Sequence, residues 1–111
     1  MITITITDDM LTVKGHAKDR CDGFPPTKTE TEACAAITAL TQGLLYSIIN
    51  VTNNDISGNY TLSKGNLELK HINKYDEKGR LLVNAFIVSA RFVEDGYPVQ
   101  IKVIDKRYIA A

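Results

Sequence analysis

The run from Thr31 to Val51 constrains the fold most. Ala33, Ile37, Leu40, Leu44, Ile48 and Val51 recur at steps of three and four, the spacing of one helix face. Ala35, Ala39, Tyr46 and Ile49 put apolar groups on the other faces, leaving a narrow polar strip of Thr38, Thr41 and Gln42. A helix this apolar has to be covered on more than one side. Thr31 is its predicted N-cap, with Glu30 and Glu32 suiting the positive end of the dipole. Thr29-x-x-Glu32 is an alternative capping box. Gly43 in the middle costs about 1 kcal/mol against alanine and predicts a close backbone approach.

The cover comes from strands and a second helix. Ile2, Ile4 and Ile6 alternate with three threonines, and Leu11, Val13 and Gly15 alternate with Thr12, Lys14 and His16. Two such runs around Asp8-Asp9 read as a hairpin. Residues 60–72 read as a strand, or as two short ones broken at Gly65-Asn66. Asp76 to Glu94 reads as a second helix. Its predicted core stripe is Leu81, Ala85, Val88 and Phe92, widened by Leu82, Phe86 and Val93. Asp95-Gly96 and Tyr97-Pro98 end it, and Val99, Ile101 and Val103 form a last strand. The order β-β-α-β-α-β predicts an α+β fold: one sheet of about four strands with two helices packed on it. The 111 residues fit a single domain, 1–111.

Thirteen basic and thirteen acidic residues cancel, and no basic block appears. The expectation is no nucleic-acid partner. The alternating start MITITIT lacks the basic and apolar segments of a signal peptide. No run approaches the roughly 20 apolar residues of a membrane span, so no membrane partner is expected. These features point to the cytoplasm. Two cysteines are too few for a secreted disulfide framework. With two histidines they match no zinc pattern, and no phosphate-binding glycine loop occurs. Neither metal nor cofactor is expected.

Chemistry centres on Cys34 and His16. If the helix starts at Thr31, Cys34 is its third residue, where free N–H groups and the dipole favour a thiolate. Those amides would also hold an oxyanion. Cys34 is offset from the Ala33 stripe by about 100°, on a line with Thr38 and Thr41, so it can face a cleft. His16 ends a strand beside Gly15 and can take a thiol proton. Gly15, Thr31, Thr38 and Phe24 around this pair are the candidate substrate-binding residues. The long polar loop from Ala17 to Glu30 could close over them, with Asp19 and Asp22 within reach as a third group. The plain alternative makes Cys34 a small buried hydrophobe and His16 a surface residue.

Two motifs together carry a resemblance. Gly15-His16-Ala17 at a strand end is followed by Cys34-Ala35-Ala36-Ile37-Thr38-Ala39-Leu40 at a helix start. This resembles the ribosomal-processing cysteine protease family (Prp), most specifically over roughly positions 11 to 45. The resemblance implies a cytoplasmic cysteine endopeptidase with Cys34 as nucleophile and His16 as base. It implies a protein substrate: the N-terminal extension of a ribosomal large-subunit protein, or a phage capsid or scaffold protein. It also implies cleavage after a bulky aromatic residue, and a homodimer. The family's aspartate three residues before the cysteine is Thr31 here, its helix serine is Thr38, and the gap holding Phe24-Pro25-Pro26 is longer. An inactive Prp-like peptide-binding module is the alternative. A redox pair of Cys21 and Cys34 has no C-x-x-C motif behind it.

Overall fold

The computed structural model describes residues 1–17, 22–63 and 66–108. β1 (Ile2–Ile6) and β2 (Met10–Gly15) pair antiparallel, with Ile4 opposite Val13. The Thr7 N–H donates to the Met10 carbonyl at 2.9 Å, and the Thr7 hydroxyl accepts from the Met10 N–H at 3.0 Å. These bonds close the turn at Asp8-Asp9. The apolar alternation points every second side chain inward: Ile2, Ile4, Ile6, Leu11 and Val13 are buried, while Thr3, Thr5 and Thr12 lie on the half-buried face.

The second of the two readings of residues 60–72 holds: this segment contains two short strands, paired antiparallel, rather than one. They are β3 (Tyr60–Ser63) and β4 (Asn66–Lys70), followed by a short 3-10 turn at Ile72–Lys74. With β5 (Ile101–Asp105) the sheet has five strands in the order β3-β4-β2-β1-β5. Among the described strands only the β1–β5 pair is parallel. The last strand starts at Ile101; Val99, assigned to it from the sequence, is exposed ahead of it.

The first helix, α1 (Lys28–Val51), starts four residues earlier than an N-cap at Thr31 predicts. Its N-cap is Thr27. The Thr27 hydroxyl accepts the Glu30 N–H at 3.2 Å, and the Glu30 carboxylate accepts the Thr27 N–H at 2.7 Å. This capping box satisfies two helix-start donors, and it begins right after Pro25-Pro26, which cannot extend a helix backwards. Neither Thr31 nor the Thr29-x-x-Glu32 box caps the helix. Ala33, Ile37, Leu44 and Ile48 are buried as the spacing requires, joined by Thr41 and Leu45, whereas Val51 is exposed. Gly43 has open space where a Cβ would stand, contrary to the expected close approach. By length and composition alone α1 could cross a bilayer. Its buried residues instead join the core between the helices and the sheet.

The second helix, α2 (Glu77–Gly96), is capped by Asp76, whose carboxylate accepts the Gly79 N–H and the Asn54 side-chain amide, each at 2.8 Å. The Gly79 bond, then Asn54, holds the Asp76 carboxyl below the usual range. The buried face of α2 is Gly79, Val83, Phe86, Ile87 and Ala90. The stripe expected from the sequence lies on the outside: Ala85 is exposed, and Leu81, Val88 and Phe92 are 66%, 70% and 81% exposed. Gly79 fits this rotation. A Cβ there would stand 2.5 Å from the Asn54 amide nitrogen and 3.0 Å from the Tyr75 Cβ. The absence of a side chain lets this position pack against Asn54 and Tyr75 with the Gly79 line turned inward.

Candidate active site

His16 directly follows β2 and is held through its backbone. Gly15 has φ of +101°, the region glycine favours, and a Cβ on it would collide with the Met1 carbonyl oxygen. Its N–H donates to the Asn66 side-chain oxygen of β4 at 3.0 Å. The Met1 amino group donates to the His16 carbonyl at 2.6 Å. Gly15→Ala therefore meets both a strained φ and a backbone atom. The expected cost is about 2 kcal/mol or more of unfolding free energy, read by urea denaturation.

Cys34 lies in the second turn of α1 and is exposed. Because the helix starts at Lys28, the free amides are not beside it. The Thr27 N–H is held by Glu30 and the Glu30 N–H by Thr27, while the Thr31 N–H bonds the Thr27 carbonyl. Lys28 stands about 9 Å from Cys34 along the axis at 1.5 Å per residue. The expected oxyanion site at the helix start is thus displaced from the thiol. The Cys34 N–H lies within the i to i−4 ladder.

An open groove of about 840 Å³ runs between the end of β2 and the outer side of α1. His16 and Cys34 both line it. Glu30, Cys34, Thr38 and Gln42 follow one another at four-residue steps along its helical wall, with Thr31, Ala35 and Ala39 beside them. Among the described residues Ala17 and Pro26 line it as well. The groove accounts for Ala35 and Ala39 on the second side of α1; Tyr46 and Ile49 are exposed outside its lining.

The other candidate residues divide. Thr31 and Thr38 line the groove; Gly15 acts on it only through the His16 backbone, and Phe24, 68% exposed, is not among the lining residues. Asp22 is off the wall too, its carboxylate accepting the Phe24 N–H at 3.1 Å. Asp19 and Cys21 fall outside the described residues. Glu30, in the sequence only a dipole partner, is a groove residue. It is 7% exposed, with one carboxylate oxygen committed to the helix cap. A signal for it is present in the chain: Thr27-x-x-Glu30 is a capping box, and Glu30 is one helical turn from Cys34. Among the described residues no group of three or more His, Cys, Asp or Glu could hold a metal ion. What the groove brings together is a thiol, an imidazole, a carboxylate, two hydroxyls and an amide beside small apolar residues. That set suits nucleophilic attack with proton transfer.

The family model for cysteine protease Prp matches residues 1–102. A search of the curated proteins finds no match. Among solved structures, the chain is similar to the essential ribosomal processing protease Prp from S. aureus. In that protein's complex with a covalently linked product peptide the identity is 21% and the TM-score 0.76. In its complex with a substrate peptide they are 18% and 0.79. Each pairing covers 96% of this chain and 100% of the other. A Streptococcus mutans protein is similar at 17% identity and a TM-score of 0.62, over 96% of this chain and 92% of the other.

Proposed function

The chain belongs to the cysteine protease Prp family, and from that membership we propose that it cuts protein substrates with Cys34 as nucleophile and His16 as base. The observation that carries the reading is that both side chains line one groove. His16 takes the proton from the Cys34 sulfur as the sulfur adds to the scissile carbonyl carbon. The tetrahedral intermediate collapses by breaking the C–N bond, and His16 returns the proton to the leaving amine. Water, deprotonated by His16, then hydrolyses the thioester and restores the thiol. Thr38, one turn beyond Cys34 and roughly 5–6 Å away between Cβ atoms, and Gln42 after it, supply the donors facing substrate. The resemblance expects a carboxylate three residues before Cys34. Thr31 has none, while Glu30 places one on the same wall.

The substrate is a short N-terminal extension of a ribosomal large-subunit protein, or a phage capsid or scaffold protein. Ala35 and Ala39 leave room for the bulky residue expected before the cut. Ala39→Leu narrows that room and should raise KM about tenfold with kcat little changed, the effect of altered pocket volume. The reading places the protein in the cytoplasm as a homodimer. A module that binds peptide without cutting it is the second reading, favoured by Thr31 in place of an aspartate. The test is to mix the purified chain with an extension-bearing large-subunit ribosomal protein, and separately with a phage scaffold protein, and follow intact mass. Loss of the extension in a single cut is expected. Stable binding of either protein with unchanged mass would favour the module.

A further inference from the structure

Among the described residues the last groove residue on α1 is Gln42, but the two lines of the helical wall run on. At about 100° per residue, Thr31, Thr38 and Gln42 fall within about 40° of one another round the helix, and Ile49 falls on the same line. Ala35 and Ala39 form the second line, and Tyr46 falls between them. Ile49 and Tyr46 are exposed. Neither turns to the core, because the buried line of Ile37, Thr41 and Ile48 lies about 100° from Ile49. Gly43, a neighbour of both Ala39 and Tyr46 on the helix surface, has open space where a Cβ would stand. No side chain interrupts the step from one to the other.

The sheet edge forms the opposite bank. α1 begins beside His16, at the end of β2, and ends beside Asn59 and Lys70, where β3 starts and β4 stops. Because β2 and β4 are antiparallel, these are opposite ends of the sheet, and the second half of α1 runs toward the start of β3. Leu62 of β3 lies opposite Leu67 of β4, which is buried, so the two share the face that carries the helices. Leu62 is nonetheless exposed. The second helix is bonded to the other edge, where Glu94 accepts the Val103 N–H of β5 at 2.6 Å, and β3 is left open.

We propose that Tyr46, Ile49 and Leu62 form a shelf that binds an apolar segment of the protein substrate remote from the scissile bond. The inference rests on the protease reading and carries it from the reacting atoms to a distant part of the same substrate. Continuity names the occupant: a chain extended through the groove past Cys34 and along α1 reaches these residues without turning. The rise from Cys34 is about 18 Å to Tyr46 and about 22 Å to Ile49 at 1.5 Å per residue. An extended chain covers about 3.3 Å per residue, so the shelf meets roughly the fifth to seventh residue from the cut. None of the three side chains is charged, so apolar substrate residues are selected there.

Fluorescence anisotropy on the full chain carrying Cys34→Ala, which cannot cut, tests this. Two labelled peptides share the three residues on each side of the cut in an extension-bearing large-subunit ribosomal protein. Beyond them, the fifth to seventh positions on both sides are leucine in one peptide and serine in the other. The leucine peptide should bind about tenfold tighter or more, the effect of burying apolar side chains. Tyr46→Ser, Ile49→Ser and Leu62→Ser together should bring the ratio to about one without changing the circular dichroism, because all three side chains are exposed. A preference for leucine that survives the three substitutions would overturn the shelf. Equal affinities for the two peptides before the substitutions would overturn it as well. Failure of both peptides to bind would overturn the protease reading from which the shelf follows.

Discussion

Cys34→Ala is expected to abolish cleavage of an extension-bearing substrate, with kcat falling on the order of 10⁴-fold or more, as for loss of a catalytic nucleophile. No other described residue on the groove wall is a thiol. The side chain is exposed, so removing its sulfur leaves no core cavity. Substrate affinity should persist, because Thr31, Ala35, Thr38 and Ala39 keep the wall. The measurement is a single-turnover cleavage assay beside a pull-down with the same substrate. Loss of cleavage with retained binding separates a nucleophile from a residue that shapes the groove. Retained cleavage would remove Cys34 from the mechanism altogether.

His16→Ala has the second largest expected effect. General acid–base assistance contributes about 10²–10⁴-fold, and kcat should fall within that range. KM should change little, since the imidazole acts on the reacting atoms rather than on remote parts of the substrate. His16 is exposed, and its backbone contact to Met1 uses the carbonyl, which survives the substitution. The fold should therefore be kept. Gly15→Ala provides the contrast: it leaves the imidazole in place but disturbs the turn that carries it, so stability and activity fall together. A His16→Ala enzyme that loses activity only in step with its melting temperature would mean the imidazole is structural.

The parts legible in the sequence are those where one periodicity has one solution. Two-residue alternation with β-branched residues fixes both the existence and the facing of β1 and β2, because a one-residue slip would turn every isoleucine to solvent. The groove pair is legible for a related reason: Cys34 is off the Ala33 stripe by one residue, so burying Ala33 and Ile37 exposes it. The α2 stripe is ambiguous in the sequence because two apolar faces share the same helical spacing. Leu81, Ala85, Val88 and Phe92 fit the pattern as well as Val83, Phe86, Ile87 and Ala90. The close fit of Gly79 against Asn54 and Tyr75 goes with the second, and for Asn54 that fit joins segments distant in sequence. The start of α1 is hard to place because Thr27, Thr29 and Thr31 alternate before Glu30 and Glu32, offering overlapping caps. The difference matters: a start at Thr31 puts free amides beside Cys34, when they lie more than a turn away. The donors facing substrate then fall to side chains farther along the groove, Thr38 and Gln42.

The central claim is that Cys34 and His16 act as a pair. The most direct measurement is the rate at which iodoacetamide modifies Cys34 at pH 7 in a Cys21→Ser background, with and without His16→Ala. The account predicts rapid modification that slows about tenfold or more without the imidazole that assists thiolate formation. Equal rates in the two proteins would contradict the pair.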